Sequence, residues 1–411
     1  MKLITLVLGL LTLVCSPLFA GNSIFSYDGF PIQYFGKDIY SMGMGDAGAS
    51  DIFRFNTGYT NPALHNVSNR TLFATGLMFG YTGYRSLDDA GSEARFRDDS
   101  LDLPYFSLSV PLKRHRVGFQ FNSFASGVVK NERTFTSDEG LEITEKQAMD
   151  KYLFRADLIY SVNFGRYHFG ASGNYFFGHD IRNFEQQAAG FGIFNTKEEL
   201  ARTFKNPTLT IGALKHFDRL SIGTHITMPR TLKGGEIRKS IHEQEPEIDY
   251  DYKLPAQLAG SITALPFPNF KVATDFHYET WGEIDAAVYE DSWKLSLGAA
   301  YEPNAETIDK AGAPKFPIRA GISYRKLPFK ADADAIDESG VSLGVTLPLK
   351  RDVNRIDLGF QYLRRGNLAA NKLQDNSFML MIGFTGFDVI TKAPDRTAPR
   401  EIPVKEELEE W

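Results

Sequence analysis

Three groups of residues in this chain have types and spacings that could do chemistry. Gly43-Met-Gly-Asp-Ala-Gly48 has the G-x-G-x-x-G spacing of a dinucleotide loop. Such a loop holds pyrophosphate only between a strand and a helix of a βαβ unit. No helical period follows it here, so Gly43, Gly45 and Gly48 read as places where backbone packs closely on a neighbour. Asp275, His277 and Glu279 alternate along one run, and His with carboxylates suits zinc or harder ions. Residues two apart on a strand are separated by roughly 7 Å, so a shared ion would need further ligands. Ion pairing with Arg319, Arg325 or another part of the chain is the simpler fate of these charges. Arg155 with Asp157, and Arg355 with Asp357, have the same period and the same two readings: guides for a carboxylate headgroup, or internal ion pairs. There is no G-x-S-x-G elbow and no H-E-x-x-H helix. No catalytic residue, no metal site and no cofactor is expected.

The elements that must position these residues are strands. Val272, Thr274, Phe276 and Tyr278 share one face, and Lys271, Asp275, His277 and Glu279 share the other. Trp293, Leu295 and Leu297 oppose Lys294, Ser296 and Gly298; Ile318, Ala320 and Ile322 oppose Arg319, Gly321 and Ser323. Each run has one apolar and one wet side, because successive strand side chains point to opposite faces. Strands are expected at 71–85, 101–112, 115–129, 149–163, 166–180, 205–217, 219–232, 250–265, 269–282, 291–302, 315–327, 339–349, 354–365 and 375–387. The gaps alternate long and short, apart from 303–314. Tight turns at one end and long loops at the other are the signature of an outer-membrane barrel, whose apolar faces meet lipid. One short helix is expected at Thr196–Phe204, from its Thr and following acids. The fold class is therefore all-β, a transmembrane antiparallel barrel of about fourteen strands.

The ends and the composition agree with export. Residues 1–20 have the basic start, apolar stretch and small final residue of a signal peptide. Residues 21–70 precede the strands, the barrel spans 71–387, and 388–411 form a Pro-rich, acidic periplasmic tail. Cys15 is the one cysteine, so no disulfide framework is expected. A net charge of -6 argues against nucleic acid. A mean hydropathy of -0.26 suits strands that face lipid on one side only.

Several segments, taken in order, resemble the FadL-type family, outer-membrane transporters of long-chain fatty acids and other hydrophobic compounds. Ser41-Met-Gly-Met-Gly-Asp-Ala-Gly-Ala49 followed by Asn61-Pro62-Ala63 resembles that family's N-terminal segment. Leu254-Pro255-Ala256 with Asp275-Phe-His-Tyr-Glu-Thr-Trp281, and Pro317-Ile-Arg-Ala-Gly-Ile-Ser-Tyr324, resemble its later strands. The resemblance implies a barrel in the outer membrane of a Gram-negative-type bacterium and an N-terminal hatch in the lumen built on Gly43, Gly45, Gly48, Asn61, Pro62 and Ala63. It implies passage of a hydrophobic small molecule, with outer-membrane lipid around the wall. Lumen residues Arg155, Asp157, Asp275, His277, Glu279, Arg319 and Arg325 would orient the ligand. A kink in the third strand, at Asn122, Ser123 and Gly127, would open a lateral path. The C-terminal tail departs from the family pattern. It raises the PorV-like branch, in which the barrel is a partner in protein secretion and the tail meets a periplasmic or secretion-system protein.

Overall fold

The computed structural model describes residues 23–26, 32–33, 38–54, 61–66, 70–88, 91–137, 140–188, 195–303, 316–331, 334–349 and 354–388. The expected signal peptide and tail lie outside these, save for residue 388. Fourteen antiparallel strands form one wall. They are β1 Thr71–Leu87; β2 in two arms, Glu93–Asp102 and Tyr105–Leu112; β3 His115–Thr136; β4 Glu142–Phe164; β5 Tyr167–Ala188; β6 Thr196–His216; and β7, again two arms, Leu220–Thr227 and Arg230–Ser240. There follow β8, also two arms, Ile248–Leu254 and Gln257–Phe267; β9 Phe270–Glu279; β10 Ser292–Tyr301; β11 Ile318–Ala331; β12 Asp334–Pro348; β13 Arg355–Arg365; and β14 Leu373–Asp388. The wall closes where β14 pairs with β1, from Leu373↔Ser86 to Asp388↔Thr71. Closure joins the first and last strands, so neither presents an edge to lipid along this seam.

The outward face is the apolar one. Leu77, Phe79, Leu158, Leu295, Leu297, Val341, Leu343 and Leu380 are all exposed. Aromatic rings bound this band at both ends, as they do at membrane interfaces. On one side Tyr362 meets Phe378 at 4.8 Å and Trp293 meets Tyr324 at 5.4 Å. On the other, Phe73 meets Phe106 at 5.4 Å and Phe267 meets Phe270 at 6.5 Å. No helix among the described residues is long and apolar enough to cross a membrane.

The strands differ greatly in length. β9 and β10 have 10 residues each, about what a membrane span needs. β3, β4, β5 and β6 have 22, 23, 22 and 21, so one side of the barrel stands well above the bilayer. This corrects two expectations. The gaps read as long loops at 130–148, 181–204 and 233–249 are mostly strand. The helix expected at Thr196–Phe204 is the start of β6, paired with β5 from Gln186↔Thr196 and with β7 from Ser240↔Glu198. Its acids are cross-strand partners rather than helix caps: Lys239 lies 3.0 Å from Glu199, and Arg202 lies 2.6 Å from Glu236 across the same ladder.

Candidate functional site

Inside the wall, the paired strands bring inward residues into rungs. One rung runs from β1 to β9 as Tyr84, Asp375, Arg365, Glu338, Arg325, Lys294 and His277. Its charges pair with one another: Arg365 lies 2.6 Å from Glu338 and 3.0 Å from Asp375. Arg325 and Lys294 are like charges side by side, which is unfavourable across a ladder. Each has a carboxylate from elsewhere: Arg325 has Glu279 at 3.4 Å, and Lys294 pairs with Asp46 of the N-terminal segment.

The two rungs below are made of small residues. One contains Gly340, Ser323, Ser296, Asp275, Ser261 and Gly223, the next Ser342, Gly321, Gly298, Ala273, Thr263 and Ser221. Their smallness makes room for residues 38–54, whose backbone lies directly on the wall. Gly45, at φ 70°, donates its N–H to Ser342 Oγ at 2.7 Å. A Cβ there would come within 2.6 Å of the Ile322 carbonyl, so glycine is required on both conformational and steric grounds. Gly48 and Ala49 donate to Asp275 Oδ2 at 3.0 and 2.8 Å. Ser50 Oγ lies 2.9 Å from Ser261 and 3.0 Å from Thr263. Asn61 reaches Ala49 O at 3.2 Å, and Pro62 and Ala63 sit against the bare Cα of Gly170. Lower still, Lys271 bridges Asp51 at 2.8 Å and Glu302 at 2.9 Å. The Tyr40 ring lies between the guanidinium groups of Arg54 and Arg319, at 4.1 and 4.5 Å, and its hydroxyl donates to Glu302. Gly43 faces the Arg319 side chain.

Above the charged rung the lumen changes character. A cavity of about 570 Å³ opens there, within the range of small-molecule sites. Phe25, Tyr84, Phe96, Val129, Tyr289, Phe329, Ile336 and Leu373 supply its apolar lining, while Lys130, Lys372 and Lys330, the last paired with Glu290 at 3.0 Å, supply cations; among the described residues no carboxylate lines it. Phe25 belongs to the single turn Ile24–Ser26 and packs with Trp281, Leu327, Phe329 and Ile336.

Beside this cavity the wall strands part, and the N-terminal segment patches the place: Ile32–Gln33 pairs antiparallel with β3 at Ser126 and Ala125. The inner arm of β2 pairs with β3 up to Tyr105↔Asn122. The outer arm, Glu93–Asp102, pairs with β1; among the described residues it forms no ladder with β3. At the same level β3 carries a register shift between Ser123 and Ala125 against β4. The extra residue, Phe124, turns inward and meets Phe176 edge-on at 4.9 Å. From Asn122 to Val129 every residue of β3 is buried, whereas a strand spanning lipid would alternate. Phe96 and Val129, one from each side of this gap, both line the cavity.

The seven lumen residues singled out from sequence all lie inside the barrel, and none lines the cavity. Asp157 accepts from Arg155 at 2.9 Å, Asn122 at 3.1 Å and Asn174 at 2.6 Å, a network within the wall. Asp275 holds the N-terminal segment. His277 stacks edge-on against His225 at 5.9 Å, and Glu279 accepts from Trp281, Gln257 and Arg325. Arg319 lies 3.3 Å from Asp357. Sequence reasoning missed the cavity residues. Its missed signal is an aromatic at an inward position near a strand's outer end, as at Tyr84, Phe96 and Phe329.

These features define a class: an outer-membrane β-barrel whose lumen holds the chain's own N-terminal segment below an apolar chamber. The fold is the FadL type. It is similar to the toluene transporter TodX of P. putida, with a TM-score of 0.58 and 16% identity over 87% of this chain and 99% of that one. It is similar to a FadL homologue of Pseudomonas aeruginosa (0.60, 12%, 87% and 99%) and to the toluene transporter TbuX of Ralstonia pickettii (0.57, 13%, 89% and 100%). These neighbours are transporters or their homologues rather than enzymes. The family model for BamG matches residues 225–388, less than half of the chain. No curated protein matches in sequence.

Proposed function

We propose that this protein passes hydrophobic small molecules across the outer membrane, and that its ligands are amphipaths with an acidic head, such as long-chain fatty acids. The observation that carries the reading is the apolar cavity set against a stretch of wall where the outer arm of β2 parts from β3 and Ile32–Gln33 pairs with β3 instead. A molecule taken from outside can shed water there, worth about 0.8 kcal/mol per buried CH₂. Lys130 and Lys372 on the lining, beside a Lys330 that pairs with Glu290 at 3.0 Å, favour an anionic head over a neutral hydrocarbon. The parting of the outer arm of β2 from β3, with Asn122, Ser123 and Gly127 at its rim, offers a sideways exit into lipid once Ile32–Gln33 leaves its pairing with Ala125 and Ser126. Residues 38–66 act as the hatch. The toluene transporters of the same fold support hydrophobe passage in general.

The test is uptake of radiolabelled oleate by cells lacking their own transporter, with and without this chain, alongside oleate binding by the purified protein. Uptake no greater than in empty cells, together with no binding, would sink the reading. The match of residues 225–388 to the BamG model favours a second reading, a partner barrel in an envelope assembly or secretion system, engaged through the tail. It requires a stable complex to co-purify from mild detergent, and loss of that complex when 389–411 are removed.

A further inference from the structure

The contact between Lys294 and Asp46 joins wall to hatch at the floor of the cavity. Ile336 and Leu373 line the cavity, and the next inward residues on their strands are Glu338 and Asp375 of the charged rung. From Phe329, Arg325 is two inward positions further down, about 13 Å along the strand. The rung is thus the surface that a headgroup meets after passing Phe25, Trp281 and Leu327. Along it, Arg365 is flanked by wall carboxylates on both sides and Arg325 has Glu279 of the wall. Lys294 is in direct contact with a carboxylate of the hatch, that of Asp46, with Glu338 and Gln361 of the wall close by, and both side chains of the pair are buried. Asp46 is delivered by a turn at φ 69°, between Gly45 and Gly48, both also at positive φ.

We infer that Asp46 occupies the place of a ligand's carboxylate, so that an acidic amphipath and the hatch compete for Lys294. This rests on the transport reading above and names how the same site is regulated. A carboxylate arriving with its chain still in the cavity can replace Asp46 on Lys294, provided the displaced Asp46 carboxylate swings out to water or takes up a proton, so that no buried charge is left unpaired. The displaced turn then keeps only its backbone contacts to Ser342 and Asp275. A neutral ligand of the same chain length fills the cavity but exchanges nothing. Because the two equilibria are linked, weakening the Asp46 contact must tighten acid binding by the same factor.

The test uses the full mature protein in detergent, titrated calorimetrically with oleate and with methyl oleate. Asp46→Asn is the key variant, since asparagine tolerates the left-handed backbone. It is expected to raise oleate affinity about fivefold or more and leave methyl oleate unchanged. Lys294→Met is expected to abolish the preference for the acid. Maleimide labelling of Ala47→Cys in the same mature protein is expected to accelerate with oleate and not with the ester. If both ligands bind but Asp46→Asn shifts neither, or shifts both equally, the exchange is wrong while transport stands. If neither ligand binds the unmodified protein, the transport reading falls and the exchange with it.

Discussion

Above the Arg325–Glu338–Arg365 rung, the inward side chains are Phe25, Phe96, Phe329 and Ile336 around open space; below it, they are Ser323, Gly321, Gly298 and Ser261 with backbone pressed against them. The same fourteen strands build both levels with the same inward alternation. The difference is side-chain volume. Large apolar groups on widely spaced strands cannot meet across the lumen and leave a chamber. Small groups let a second piece of chain come within hydrogen-bond reach of the wall. One barrel is thus a container at one level and a socket at the next, with a charged rung as the divide.

The largest expected effect comes from filling the socket. A Cβ on Gly321 would stand 2.0 Å from the Met44 backbone carbon. Gly321→Val should destabilise the folded protein by at least about 2 kcal/mol, read as a lower urea midpoint of the heat-modifiable band on a gel. Gly260→Val, where a Cβ meets nothing within 4 Å, should leave that midpoint unchanged; equal behaviour of the two would erase the distinction. Next is the container. Phe329→Ala should weaken oleate binding about tenfold through lost apolar contact, and methyl oleate equally, since the ring does not see the head. Smaller again, Lys130→Gln with Lys372→Gln should lower oleate affinity about threefold at low salt and less at high salt, because partly exposed charges are screened. The least effect is expected at the exposed tip of β1 and β2. There, hydrogen bonds from Arg85 and Arg95 pull the Glu93 carboxyl down to about 2. A depressed carboxyl contributes above its unfolded value and loses that contribution as pH falls through about 2. The protection factor of the amides at this tip, exchange corrected for the intrinsic rate at each pH, should therefore be steady between pH 7 and pH 5, while both lumen levels remain protected.

The wall was legible in sequence wherever one strand face meets lipid, as in the alternation of Leu295 and Leu297 with Ser296 and Gly298. It was not legible at Thr196–Phe204 or 181–188, because above the membrane both faces are wet and the alternation disappears. Asp275, Glu279 and Arg325 could be placed in the lumen by period alone. Their partners could not, since pairing Asp275 with Gly48, or Lys294 with Asp46, needs the path of a segment that has no period. The cavity was the least legible part, because its lining takes one or two residues from each of many strands and a turn. Only the register of the closed sheet brings Phe25, Phe96 and Phe329 to one level.

The seam between β14 and β1 joins the two ends of the wall, with Leu373 opposite Ser86 and Asp388 opposite Thr71. It cannot form until the whole wall has been made, and such distant pairing is slow. The segment it encloses is synthesised first. Residues 38–54 and 61–66 are thus present as a free chain before there is any lumen to occupy, and they are walled in rather than threaded through. The order of assembly follows from the order of the chain. A protein permuted to begin at β1 and end with this segment would have to fill a barrel already shut.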